Sequence, residues 1–184
     1  MSKYFRAKGL ILGAFLLVVS PMALAQNQSW FEAAREGNVQ LLEVQFKTAP
    51  ELINARNEKG YTAFVLASYN NQAAYAEHLL KLGANPCLAD KKGNTALMGV
   101  IFKGHLDLAL KLIAKCDVNH RNHEGQTALM YASLFGRENI AAELMKQGAI
   151  KDLKDHEGRD AITLAEGQWN QAMVGLLKTF RIIN

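Results

Sequence analysis

Four near-copies of one five-residue phrase constrain this chain more than any other feature. Residues 60–64 read GYTAF, 93–97 GNTAL, 125–129 GQTAL and 158–162 GRDAI, with glycines 33, 32 and 33 residues apart. A fixed period in that range marks a stack of small repeated units, each too small to bury its own apolar surface.

Residues 90–119 show what one unit holds. Asp90 to Asn94 reads as a turn in which Gly93 supplies backbone freedom. Thr95 stands where a helix begins and can cap it. Ala96 to Phe102 is a short apolar helix that Gly104 ends. Leu106, Leu108, Ala109, Leu112 and Ile113 follow at helical spacing, with Asp107 and Lys111 on the other side. Cys116 to Asn119 is a second turn. Neither helix is long enough to persist alone in water, so neighbouring units must supply the core.

In these features the chain resembles the ankyrin-repeat family, whose pattern runs roughly D-x-x-G-x-T-P-L-H-x-A-A-x-x-G-H, then a helix ending L-L, then G-A-D-V-N. Copies run over Asn57–Gln72, Asp90–His105, Asn122–Arg137 and Asp155–Asn170, and a weaker first copy begins at Trp30. The resemblance implies an all-α solenoid of about five helix-turn-helix repeats with terminal caps, spanning 26–184. Its units are approximately 28–56, 57–89, 90–121, 122–154 and 155–184. Ala63, Ala96, Ala128 and Ala161 replace the family proline. Val65, Met98, Met130 and Thr163 replace its histidine. The third copy is one residue short near Ala114-Lys115, and Trp169 stands where the family glycine belongs. Trp30, Phe31, Trp169 and Phe180 are expected to pack the caps.

Residues 1–25 read as a secretory signal peptide. Lys3, Arg6 and Lys8 precede an apolar run from Leu10 to Val19, and Ala23-Leu24-Ala25 offers a cleavage site after Ala25. The run is shorter than a membrane-spanning helix requires. The full chain carries 21 basic and 17 acidic residues, net +4. Without the three basic leader residues the balance is 18 against 17, net +1. No basic stripe points to nucleic acid. Export permits a disulfide between Cys87 and Cys116. Two separate, buried small hydrophobes would serve equally, and the sequence leaves the choice open.

Chemistry is sparse. His120 and His123 form H-x-x-H, and His123 and His156 hold equivalent places two residues before Gly125 and Gly158. No cysteine or carboxylate completes a metal-binding spacing around them. Nucleophile elbows, phosphate-binding loops and kinase signatures are missing. The expectation is a protein with no catalytic residues, metal or cofactor.

The resemblance directs attention instead to the turn tips and the open side of the first helix in each repeat, where the family contacts partners. Those places hold Tyr61, Tyr69, Lys91, Lys92, Asn94, Phe102, Lys103, His123, Glu124, Gln126, Leu134, Phe135, His156 and Arg159. Tyr69, Phe102 and Leu134 share one repeat position, with Phe135 beside the last. Apolar residues in a row on an exposed face suggest a protein contact, unless they fold back onto a neighbouring helix. A leader followed by ankyrin repeats resembles small periplasmic ankyrin proteins of Gram-negative bacteria. That likeness implies a monomeric periplasmic scaffold, off the membrane once the leader is cut. Its protein partner would be a periplasm-delivered toxin, such as a lipase or phospholipase, that it neutralises as an immunity protein. Alternatively, it would be a catalase supported in oxidative-stress defence.

Overall fold

The computed structural model describes residues 21–180. Most of the proposed leader lies outside these residues. Helix α1 (Pro21–Glu36) runs through the proposed cleavage point at Ala25. Nine further α-helices follow: α2 (Val39–Thr48), α3 (Ala63–Tyr69), α4 (Ala73–Lys81), α5 (Ala96–Lys103), α6 (Leu106–Ile113), α7 (Ala128–Leu134), α8 (Glu138–Lys146), α9 (Ala161–Gly167) and α10 (Gln171–Thr179). A short 3-10 turn occupies Pro50–Asn54. No helix among the described residues is long and apolar enough to cross a membrane.

The odd-numbered helices form an inner row, α1 on α3 on α5 on α7 on α9, and the even-numbered helices form an outer row. One core runs the length of the stack, from Trp30 and Phe64 through Leu97 and Ile101 to Leu129, Leu144 and Leu177. Ala63, Ala96, Ala128 and Ala161 are all buried at the first turn of their helices.

Each inner helix from α3 onward starts by the same local device. The Thr62, Thr95 and Thr127 hydroxyls accept the N–H groups of Val65, Met98 and Met130, and the Asp160 carboxylate accepts that of Thr163. These side chains satisfy amides that the helix itself leaves free. Before each cap lies an identical tight loop. Asn57, Asp90, Asn122 and Asp155 each use Oδ1 to accept the N–H groups two and four residues on.

Successive loops are then tied together through backbone. Lys91 N–H donates to the Lys59 carbonyl, His123 N–H to Lys92 and His156 N–H to Glu124. The glycines permit this approach. A Cβ on Gly93, which has φ +79°, would lie 2.9 Å from the Asn122 Cα and the His123 ring. Arg56 and Arg121, two repeats apart, brace the same loops from beneath. Arg56 donates to the carbonyls of Gly60 and Ala89, and Arg121 to those of Gly125 and Lys154.

The outer row is less regular. Between α4 and α6 direct packing is thinnest, and the third repeat is one residue short there. Elsewhere an asparagine crosses such a boundary: Asn54 Oδ1 accepts Asn85 N–H, and Asn119 Oδ1 accepts Ile150 N–H. The matching position, six residues before Gly93, is Cys87. Cys87 is disulfide-bonded to Cys116. Glu77 and Lys111 form an ion pair across the same boundary.

The caps differ from expectation at one residue. Trp30 and Phe31 are buried and Phe180 packs on the core, but Trp169 is 86% exposed. Trp169 occupies the turn place of Gly104 and Gly136 and shares their left-handed backbone, with φ +57°. In those earlier turns the place is covered by Arg137 and Asn170 from the following repeat. This turn position faces the next unit rather than the core beneath it, so Trp169 cannot pack the cap.

Candidate functional site

The inner row and the loop tips enclose a groove of about 1090 Å³. It begins at Phe31 and Arg35 on α1 and passes Tyr61, Val65 and Tyr69. It continues over Asn94, Met98 and Phe102 and ends at Tyr131 on α7.

One lining residue has no side chain where its counterparts carry bulk. The place held by Leu66 in α3, Tyr131 in α7 and Leu164 in α9 is Gly99 in α5. A Cβ there would touch the Tyr69 ring at 3.4 Å. A mid-helix glycine costs about 1 kcal/mol relative to alanine. Here it lines the groove beside Tyr69 without adding bulk.

An aromatic row follows the groove's edge. Tyr69 and Phe102 stack with ring centroids 6.2 Å apart. Phe102 meets Phe135 edge-on at 4.9 Å, and Phe135 leans on Tyr131 at 5.9 Å. Mutual contact does not bury the row, since Tyr69 remains 38% and Phe102 42% exposed. The Lys103 ammonium lies 4.9 Å from the Tyr69 ring centroid, within cation–π range. Leu134 shares the repeat position of Tyr69 and Phe102 and is half-buried, but the ring contacts pass to its neighbour Phe135.

The other residues singled out from the sequence divide into groups. Tyr61, Tyr69, Asn94 and Phe102 line the groove. Lys91, Lys92, His123, Glu124 and His156 are exposed along the loop tips. The two histidines are not gathered with other ligands. The ring of His123 covers Gly93, and that of His156 covers Gly125. Among the described residues no group of three or more His, Cys, Asp or Glu side chains is placed to hold a metal ion. Gln126 and Arg159 are engaged within their own loops. Gln126 Oε1 accepts from Asn122 at 3.2 Å. Arg159 pairs with Asp155 at 2.8 Å and with Glu157 at 2.8 Å. Burial would raise the Asp155 carboxyl, but hydrogen bonds from the Arg159 guanidinium and the Arg159 and Glu157 amides outweigh it and hold Asp155 below its ordinary range.

A polar knot lies at the groove's far end. The Tyr131 hydroxyl donates to Asn94 Oδ1 at 3.1 Å, which also accepts from Asn122 at 2.8 Å. Burial pushes the Tyr131 phenol above its ordinary value. Of the other lining residues, the sequence gives no reading for Tyr131 and Gly99, and it reads Phe31 as a cap residue rather than a contact. Val65 and Met98 do occupy the place of the family histidine, which was the available signal.

Comparison with known proteins agrees with this architecture. A family model described as ankyrin repeats in three copies matches residues 30–122 and 97–180. The chain is 34% identical over 112 residues to NF-kappa-B inhibitor alpha of Rattus norvegicus, covering 57% of this chain and 36% of that protein. It is 31% identical over 96 residues to the fem-1 homolog A-like protein of Mus musculus, covering 52% and 14%. It is 28% identical over 126 residues to a transient receptor potential cation channel subfamily A member 1 homolog of Caenorhabditis elegans, covering 68% and 10%. The chain thus spans about a third or less of these relatives' lengths.

Proposed function

The chain belongs to the ankyrin-repeat family, and from that premise we propose that it is an exported scaffold that grips one partner protein in the groove of its inner face. Such repeats act by binding proteins, and the observation that carries the reading here is the half-exposed row Tyr69–Phe102–Phe135 beside an open groove. Aromatic anchors of this kind concentrate binding energy at interface centres. Hydrogen bonds between successive loops fix the surface in advance, so little ordering entropy is lost on binding. The Cys87–Cys116 disulfide supports an oxidising compartment, of which the periplasm is one. The partner we favour is a toxin that the chain silences as an immunity protein. A relative named as an inhibitor supports that mode of action.

The test is a pull-down from the periplasm of the producing cell with the wild-type chain, Phe102→Ala and Gly99→Leu. Gly99→Leu restores the bulk that other repeats carry at that place and fills the groove floor. Recovery of one hydrolytic toxin by wild type, lost with both variants, together with relief of its toxicity, is the expected result. Recovery of a catalase by the same surface would transfer the reading to an accessory role. Equal recovery by all three chains would remove the groove from the account.

A further inference from the structure

The groove's charge adds a second property to its shape. Acidic groups around the aromatic row are mostly engaged internally. Glu32 pairs with Arg35 at 2.6 Å. Asp90 spends Oδ1 on the Lys92 and Asn94 amides, and its Oδ2 accepts from the Asn94 side chain. Glu58 is the remaining carboxylate on the rim. The cations are different. Lys59, Lys91, Lys92 and Lys103 are exposed, and no ion pair engages any of them among the described residues.

Charge also changes sign along the loop tips. The first tip balances Glu58 with Lys59 and the second presents Lys91 and Lys92, whereas the third presents Glu124 and the fourth Glu157. Arg159, the cation of the last tip, is consumed by Asp155 and Glu157. The fold does not require this asymmetry, because the loops close through backbone groups and the shared Asn or Asp. A rim of unpaired lysines beside exposed rings attracts carboxylates and apolar side chains together.

We infer that the segment seated in this groove is an acidic stretch of polypeptide, with an aromatic or aliphatic side chain between carboxylates. The apolar side chain enters beside Gly99 and packs on Tyr69 and Phe102. The carboxylates reach Lys59, Lys91, Lys92 and Lys103. Glu124, which no ion pair engages among the described residues, repels the same segment and limits its reach into the fourth repeat. This inference rests on the groove being the binding surface and adds the chemistry of what fills it.

A library of random peptides displayed on phage, sorted on the full chain, tests both layers separately. The enriched peptides are then measured against Phe102→Ala and the Lys91→Glu/Lys92→Glu double variant. Each variant is first checked by thermal melting to be folded. Enrichment of Asp and Glu flanking an apolar residue is expected. Affinity should fall about tenfold in the lysine variant and further in Phe102→Ala, and should weaken with added salt. Peptides that need Phe102 but are neutral or basic would overturn the charge inference and leave the groove reading standing. Peptides indifferent to Phe102→Ala would overturn both. So would a sort that enriches nothing above the uncoated support.

Discussion

The inner and outer rows of helices solve the same stacking problem differently at the boundary between the second and third repeats. On the inner side α3 packs broadly on α5, and the loop ahead of each helix is locked to its neighbour. On the outer side α4 and α6 scarcely meet, and the Cys87–Cys116 bond stands where other repeats place an asparagine. The groove's Tyr69–Phe102 contact lies on the inner side of that same boundary. The contrast shows that the spacing of the recognition face is set locally in front and covalently behind.

The comparison is broken most forcefully by removing the covalent part. Changing both cysteines to serine should lower unfolding free energy by about 3–4 kcal/mol, the chain-entropy value for a loop of this length. Denaturant titration gives the figure. Hydrogen exchange should show protection lost first in α4 and α6 while the Lys91 loop amide, which bonds the Lys59 carbonyl across the same boundary, stays protected. Uniform loss across the stack would mean the outer boundary is not special.

A glycine pair sharpens the same point with a smaller effect. Gly93→Ala forces a Cβ against Asn122 backbone in the inner loops and should cost about 3 kcal/mol, combining backbone strain with the clash. Gly148→Ala, in the outer loop after α8, keeps the strain at φ +85° but meets nothing within 4 Å. It should cost about 1 kcal/mol. Equal costs would refute the claim that the inner loops are the tightly fitted side.

Gly99→Ala goes the other way. Its new methyl reaches Tyr69 at ordinary contact distance, so stability should rise by about 0.5–1 kcal/mol through helix propensity. A stabilised chain that binds its partner less well would show that this glycine is kept for the groove.

The smallest effect concerns acid. Asp155 has a depressed pKa, so its contribution is present above the unfolded carboxylate value near 4 and is lost as pH falls through the folded value. Asp155→Asn keeps the loop geometry that Asn57 and Asn122 already make, but removes the charge that pairs with Arg159. It should cost less than about 1 kcal/mol near neutrality. It should also flatten the decline in stability below pH 4, as melting curves across pH would show.

What the sequence revealed follows the range of the interactions. The period, the loop glycines and the threonine caps were legible because each is set by residues within a few positions. The aromatic row was legible as a repeat position, yet the contact passed from Leu134 to Phe135, because ring packing depends on how one repeat leans on the next. Gly99 gave no signal by itself. The repeat register already sets it against Leu66 and Tyr131, but only the fold shows that this place lines the groove. Trp169 misled because aromatic character suggested burial, while its left-handed turn position faces away from the core. Cys87 and Cys116 were candidates by type, but their pairing depends on two loops brought together by stacking.

The most direct test is to measure, on one preparation of Phe102→Ala, both its melting temperature and its affinity for the partner recovered by the wild-type chain. A half-exposed ring that serves recognition predicts a melting temperature lowered by only a few degrees and affinity reduced more than tenfold. A large fall in melting temperature with affinity unchanged would contradict the account and return the aromatic row to the protein's own packing.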